Sequence, residues 1–468
     1  MRSFPLEPDH DEMERMGATV LRFVTDFVDE RPHAPASDLD DAWPLADELA
    51  AASPPATGRP LDELLAIVDA AAARAIDTAG PGYLAFVPGG GLFAAALADF
   101  VACATNRFVS FADLAPAMVA IEASVVRWLC TLFRLPPSAQ GILTSGGSMA
   151  NLSALVTARA ALLGNNFLDG TLFVSDHTHQ SVAKAAMIAG FPPAAVRAVA
   201  CTADLGLDPG ALREAIRADR AAGRRPFCVV ATAGTTNTGA IDPLDDIATV
   251  ASEEGLWFHV DAAYGGFFQL TERGRARFGG IERADSISLD PHKGMFLPYG
   301  TGCLLVRDGE RLRAAHHVGG EYLQDLGAAE RIPNFADYSP ELSRDFRGLR
   351  VWLPLQLHGV DAFRAALDEK LDLARVVGDG LRDIPAIDVP WEPPLSIVAF
   401  RLAGGARDDA SRRLLERVNA SRRVVLSSTT IDDRYTLRVC VLSHRTHRDR
   451  IEEALAIIRE SAMAEIAK

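Results

Sequence analysis

The sequence predicts an α/β fold: a mostly parallel sheet covered by helices. Three observations carry that prediction. Short apolar runs of strand length recur between residues 84 and 310, helix-length segments lie between them, and polar or small residues stand where the runs end. Strands separated by helices of this size form parallel crossovers. Such sheets bind ligands beyond the carboxyl ends of their strands.

The elements follow in order along the chain. Residues 10–30 make an amphipathic helix, with Met13, Met16, Val20, Phe23, Val24 and Phe27 at helical spacing. A loop rich in Pro, Ala and Asp runs to about residue 60, and residues 61–78 make a second helix. Residues 1–82 are therefore expected to form a helical arm without strands. In a large region, 83–345, the expected strands are Gly141–Thr144, Thr171–Ser175, Phe227–Thr232, Trp257–Val260, Ser286–Leu289 and Gly302–Val306, with helices at 148–163, 180–189, 208–222 and 243–254. Residues 311–345 break the rhythm: His316-His317-Val318-Gly319-Gly320 and the stretch through Asp337 hold few periodic apolar positions, which predicts a mobile loop. Residues 346–468 predict a small α+β domain, with a helix at 347–378, strands at 396–402 and 434–442 flanking a helix at 409–421, and a last helix from 447.

Composition excludes several classes. The 49% hydrophobic and 23% charged content of these 468 residues describes a soluble globular chain with ample core. A net charge of −15 offers no concentrated basic surface for nucleic acid. The six cysteines are scattered without a CxxC pair, which indicates neither a disulfide framework nor a zinc site. The acidic start, MRSFPLEPDHDEMERM, lacks the apolar core of a signal peptide, and no apolar run reaches the roughly 18 residues of a membrane helix, so the expectation is a cytoplasmic protein without membrane contact.

Chemistry concentrates at the strand ends. In Asp290-Pro291-His292-Lys293-Gly294 a lysine sits between apolar runs. Desolvation disfavours its ammonium, and a neutral amine there is suited to a Schiff base with an aldehyde; a lysine that snorkels to solvent fits the pentapeptide equally well. Ser145-Gly146-Gly147-Ser148 opens a helix, where close backbone approach and unpaired N–H groups bind phosphate, and where Ser148 is also an ordinary N-cap. Asp176-His177-Thr178-His179 offers an imidazole that can stack on a flat ring, or a surface histidine; no third ligand at suitable spacing supports a metal. Asp261, after a wholly apolar strand, needs a cationic or hydrogen-bonding partner, such as a pyridinium nitrogen, a helix end or an arginine. Small Ala262 and Ala263 leave room for a ring. Gly89-Gly90-Gly91 does not fit a dinucleotide loop. Phosphate cradle, stacking imidazole, carboxylate and amine together are the set that pyridoxal phosphate (PLP) requires.

These motifs, with Thr144–Asn151, Asp176–Val182, Gly234-Thr235-Thr236, His259–Tyr264, Asp290–Lys293 and Phe346-Arg347-Gly348-Leu349, resemble those of the PLP-dependent group II amino-acid decarboxylases, relatives of aromatic-L-amino-acid decarboxylase. The resemblance spans nearly the whole chain. It implies the fold type I architecture: a large domain with a mostly parallel seven-stranded sheet, a small C-terminal α+β domain and an N-terminal helical arm. It also implies a homodimer whose active sites draw on both chains. By the resemblance Lys293 carries PLP as the aldimine, His179 stacks on the ring, Ala263 packs its other face, and Asp261 pairs with the pyridine nitrogen. Gly146, Gly147, Ser148, Asp290 and His292 hold the phosphate, and Thr236 lies beside the ring. Tyr322 matches a loop tyrosine that reprotonates the substrate carbon. Phe86, Pro88, Gly89, Phe108 and Ser110 correspond to the substrate pocket.

The implied reaction is decarboxylation of an L-amino acid, aromatic by family weight, to the amine and CO₂. Alternatives are decarboxylation with oxidative deamination to an aldehyde, an acidic or aliphatic substrate (Arg107 lies near the pocket), and an aminotransferase or lyase on the same scaffold. Four positions depart from the family pattern: Gly89 stands for a threonine, Ser110 for an aromatic, Gly294 for a tryptophan and Asp290 for an asparagine.

Overall fold

The computed structural model describes residues 6–320, 331–404 and 408–466. Its main sheet contains β1 (Gln140–Thr144), β2 (Gly170–Ser175), β3 (Val196–Val199), β4 (Arg225–Thr232), β5 (Trp257–Asp261), β6 (Ser286–Leu289) and β7 (Gly302–Val306), in the spatial order β1-β7-β6-β5-β4-β2-β3. Strands β2 to β6 pair in parallel, while β7 runs antiparallel between β1 and β6. Strands β2, β5, β6 and β7 are buried along their whole length, as expected of strands covered on both faces. The apolar runs located six of these strands to within two residues. Edge strand β3 escaped them because Val-Arg-Ala-Val is short and half exposed.

A second sheet in the C-terminal part holds β8 (Ile387–Asp388), β9 (Ile397–Leu402), β10 (Ser427–Ile431) and β11 (Arg434–Cys440), antiparallel in the order β10-β11-β9-β8. Strand β10 is Ser-Ser-Thr-Thr-Ile, too polar to register as an apolar run. It is joined to β11 by Asp432-Asp433, both at positive φ (51° and 56°), the twist that favours two-residue hairpins.

Three helical expectations change. The Pro/Ala/Asp stretch contains a helix, Ala42–Ala51, and the second arm helix stops at Ala73. The segment 347–378 is two helices, Arg347–His358 and Val360–Arg382, because Gly359 at φ 74° breaks it. Helix Val360–Arg382 serves both cores: Phe363 and Leu367 pack into the cluster around the main sheet, and Leu373, Ala374, Val377 and Leu381 into the cluster under the second sheet. Leu84 also belongs to the second cluster, where its N–H donates to the Val425 carbonyl at 3.0 Å and its carbonyl accepts from Cys440 N–H at 2.9 Å. Among the described residues no helix is long and apolar enough to cross a membrane.

The register places three polar residues in one row across the sheet. Thr232 on β4 pairs with Asp261 on β5, and Asp261 pairs with Ser288 on β6. Buried Asp242 anchors the end of β4: its Oδ2 accepts from Thr232 N–H and its Oδ1 from Leu207 N–H, both at 2.7 Å. Burial pushes its pKa up from 3.8 to about 6, against these two hydrogen bonds. The native chain therefore holds this proton more tightly than the unfolded chain, and the stability it contributes falls as pH rises across that window. Asp242→Ala should lower stability by about 2–6 kcal/mol, the cost of two buried amides at about 1–3 kcal/mol each, and should flatten the slope of stability across the same window. Urea unfolding at a series of pH values measures both.

Candidate active site

A cavity of about 280 Å³ opens at the carboxyl ends of the main-sheet strands. Gly146, Gly147, Ser148, His179, Thr236, Asp261, Ala263, Asp290, His292 and Lys293 all line it, so the residues assigned to a cofactor from separate motifs meet in one place. Phe86, Pro88, Gly89, Phe108 and Ser110 do not line it in this chain. Tyr322 lies outside the described residues.

The glycine turn follows β1. Gly146 sits at φ 159°, and the Thr144 hydroxyl closes the turn by donating to the Gly146 carbonyl at 3.0 Å. Helix Gly147–Leu162 starts there, so the Gly147 and Ser148 amides have no intrahelical acceptor. A Cβ on Gly147 would stand 3.0 Å from both Ala263 Cβ and Asp290 Oδ2. Only a residue without a side chain lets this helix end approach the cavity floor.

Asp261 ends β5 and is buried. Its Oδ1 accepts from the Ala263 amide at 3.1 Å and from the Ser288 hydroxyl at 3.2 Å, and its Oδ2 accepts from Asn151 Nδ2 at 2.9 Å. Each carboxylate oxygen has two acceptor positions, so Oδ2 keeps one for a donor in the cavity. His179 accepts the Ser181 amide on Nδ1 at 3.2 Å and contacts the Ser181 hydroxyl at 2.8 Å. Burial holds the His179 pKa below its usual value, with Asp261 opposing that shift. Tyr264 turns toward the second sheet: its phenol oxygen accepts the Ser396 amide at 2.9 Å and contacts the Ser396 hydroxyl at 2.8 Å. Asn151, Ser181 and Ser288 were not singled out from the sequence: Asn151 and Ser288 make contacts remote along the chain, and Ser181, beside His179, gains its second partner only from Asn151.

The lysine behaves differently from the sequence expectation. Lys293 lies on the short helical turn Pro291–Gly294, its side chain 22% exposed toward the cavity. Its Nζ is 2.8 Å from Asp290 Oδ2. Burial lowers its pKa, but the charge and hydrogen bond of Asp290 and the charge of Asp261 outweigh burial and raise it overall. The apolar runs on either side do not make the amine neutral; two carboxylates keep it protonated. His292 Nδ1 donates to the Thr301 carbonyl at 2.8 Å, which leaves Nε2 facing Asp290 Oδ2 at 3.7 Å. Burial depresses the His292 pKa, against the pull of Asp290.

Two buried polar atoms here have no partner within the protein, Thr232 Oγ1 and Asp290 Oδ1. Together with the open helix end and the remaining acceptor position on Asp261, they describe a site shaped for a polar ligand with an anionic end and a protonated ring nitrogen. PLP fits that description, with the Asp290 carboxylate as the one unfavourable charge.

Comparison with known proteins decides the matter. Residues 47–403 match the model of the pyridoxal-dependent decarboxylase conserved domain. The chain belongs to the pyridoxal-dependent decarboxylase family. It is 34% identical over 465 residues to the aromatic-L-amino-acid decarboxylase of Bacillus atrophaeus, covering 98% of this chain and 97% of that one. It is 28% identical over 475 residues to phenylacetaldehyde synthase of Arabidopsis thaliana, covering 97% and 96%. The crystal structure of an Oryza sativa TDC with PLP and tryptamine superimposes with a TM-score of 0.93 at 29% identity, covering 99% of each chain. The protein is an amino-acid decarboxylase of fold type I with PLP as its cofactor.

The two glycines that the resemblance marks as unusual, Gly294 and Gly89, are closely packed. A Cβ on Gly294 would stand 2.6 Å from Phe267 Cβ, so the ring of Phe267 fills the volume where a larger residue would sit. A Cβ on Gly89 would stand 2.8 Å from the His292 carbonyl and 3.1 Å from the Tyr299 ring. Tyr299 in turn packs on His292, with ring centroids 5.6 Å apart. Phe86 is 60% exposed at φ 48°, pinned by Ser427 on its amide and by Arg438 on its carbonyl. Ser110 is buried with its hydroxyl unpartnered, and Phe108 packs on Phe111 at 5.9 Å.

Gly294→Trp alone should destabilise the decarboxylase by overpacking, and Phe267→Ala alone by leaving a cavity. The double variant should be more stable than the sum of the two losses by about 1–3 kcal/mol, a coupling that denaturant unfolding of the four proteins reads directly.

Proposed function

We propose that the protein converts an aromatic L-amino acid to its amine and CO₂, acting in the cytoplasm as a homodimer. The observation that carries this reading is the remaining acceptor position on Asp261 Oδ2, buried beside the only lysine among the cavity-lining residues. PLP, when bound, supplies an electron sink for the pair released with the departing carboxylate. Asp261 accepts a hydrogen bond from the ring nitrogen and favours its protonated form. Lys293 would hold the cofactor aldehyde, and Asp290, 2.8 Å from its Nζ, would take up the proton the amine must shed. Gly147 and Ser148 amides hold the phosphate at the helix start, with His292 alongside. His179 and Ala263 would take the two faces of the ring, and Thr236 a place beside it. Tyr322 returns the proton to the substrate carbon, and its presence with His179 supports the amine over an aldehyde.

Aromatic preference rests on similarity to relatives named for aromatic and tryptophan substrates. The homodimer reading rests on family resemblance and on apolar side chains left uncovered by this chain. Met13, Met16, Val20 and Leu21 on the first arm helix are exposed, as are Leu97, Phe100 and Val101 on helix Phe93–Thr105. Phe100 is 67% exposed. Such faces mark association surfaces. Of the residues expected at the substrate pocket, Phe86 and Phe108 are exposed and available to meet a second chain, whereas Pro88, Gly89 and Ser110 are buried within this one.

CO₂ release should be greatest with aromatic L-amino acids in a screen that includes acidic and aliphatic ones, with amine as product and no peroxide or ammonia. Lys293→Ala should abolish both turnover and the absorbance of lysine-bound cofactor. Asp290→Asn removes a buried negative charge from the phosphate end, and should tighten PLP binding by roughly tenfold, equivalent to about 1.4 kcal/mol; equilibrium titration of cofactor-free protein measures it. Sedimentation equilibrium should give a dimer, and Phe100→Glu should shift it toward monomer.

A further inference from the structure

Beneath the cavity floor runs a buried polar chain whose every hydrogen has an assigned direction. Asp261 is an acceptor, so the Asn151 atom 2.9 Å from its Oδ2 is the Nδ2 amide, and Asn151 Oδ1 faces the other way. That oxygen lies 3.0 Å from His259 Nε2, which must carry the proton. His259 Nδ1 is then a bare acceptor, 2.8 Å from the Ser286 hydroxyl. The far end is compatible with this direction. The indole N–H of Trp257, which can only donate, points at Ser286 Oγ from 2.8 Å, so the serine hydrogen is free to go to His259. Burial lowers the His259 pKa to about 4, which keeps the ring neutral with one proton. All of these side chains are buried.

The second Nδ2 hydrogen of Asn151 goes to Ser181 Oγ at 3.0 Å. Ser181 therefore spends its own hydrogen on His179 Nδ1 at 2.8 Å, the same nitrogen that receives the Ser181 amide. With two donors on Nδ1, the proton of neutral His179 resides on Nε2.

We propose that Asn151 is a positioning residue that joins Asp261 and His179 into one oriented unit, and that Ser181 and the chain from Trp257 through Ser286 and His259 hold His179 as its Nε2–H tautomer. The significance of the unit for turnover rests on the roles proposed above for Asp261 and His179; the tautomer itself does not. His179 then offers the cavity a neutral ring with a donor edge, and the ring angle is set from the same amide that holds the Asp261 carboxylate.

The test begins on cofactor-free protein labelled with ¹⁵N-histidine, in which imidazole nitrogen–proton correlations report each tautomer. His179 and His259, assigned through His179→Gln and His259→Gln, should both show a protonated Nε2 and a bare Nδ1. Ser181→Ala removes the hydroxyl from His179 Nδ1 but keeps the backbone amide there, so it should loosen the ring and admit a minor Nδ1–H population in His179 while His259 is unchanged. In the holoenzyme, Ser181→Ala should lower kcat by about ten- to a hundredfold with little change in KM, the scale of a small misplacement, and should leave the cofactor spectrum and its pH dependence as in the parent. Asn151→Ala should disturb the His179 tautomer and also shift the pH dependence of the cofactor spectrum, because Asp261 loses a donor. A His179 proton on Nδ1 in the parent protein, or a parent-like kcat in the Ser181→Ala holoenzyme, would overturn the proposal. If Asn151→Ala does not fold, the parent spectrum and the Ser181→Ala turnover still decide it. A protein that fails to bind PLP would refute the function proposed above while leaving the tautomer measurement intact.

Discussion

A carboxylate buried at the end of an apolar strand must be met by donors, and the donors of Asp261 come from three different elements. Asn151 reaches it from the second turn of helix Gly147–Leu162, Ser288 from the neighbouring strand β6, and the Ala263 amide from the turn after β5. Each donor fixes one relation in the architecture: the helix start relative to the sheet, the register of β5 against β6, and the path of the chain out of β5. Burying an unpaired charge costs several kcal/mol, so the same contacts that satisfy Asp261 also specify where the glycine turn and the cavity-lining Ala263 stand. Site and fold are one constraint here rather than two.

The lysine end of the cavity obeys a different balance. Lys293 and Asp290 neutralise one another at 2.8 Å, and His292 stands behind them with its second nitrogen committed to a backbone carbonyl. The cofactor-free pocket is therefore internally compensated, and the arrival of an anionic group beside Asp290 must disturb that compensation. An asparagine at this position would leave the lysine without its counter-ion. The departure at Asp290 therefore changes how the site stores charge before the cofactor arrives, while the contacts of Asp261, at the other end of the cavity, do not involve it.

The parts that were legible in the sequence are those that are contiguous. Ser145–Ser148, Asp176–His179, Asp261–Ala263 and Asp290–Lys293 each lie just past a strand, so a run of apolar residues followed by polar ones located them without any knowledge of distant contacts. What was not legible depends on pairs far apart in the chain. Asn151 acts on Asp261 and His259 across more than a hundred residues, and nothing local to it distinguishes it from any helix asparagine. Strands β3, β8 and β10 were missed because the first is short and half exposed, the second has two residues and the third is mostly serine and threonine. The break at Gly359 was missed because the apolar spacing continues through it. The protonation of Lys293 was misjudged because flanking hydrophobicity reports desolvation, whereas the side-chain direction of Asp290 decides the sign.

The glycines at 294 and 89 carry a consequence for redesign. Phe267 stands against Gly294, and the His292 carbonyl with the Tyr299 ring against Gly89, so a larger side chain at either position is blocked as a single step. At Gly294 any one-residue change passes through a state that is either overfilled or hollow. Ordinary van der Waals contact thus latches these two positions to their neighbours, and they can change only together with them.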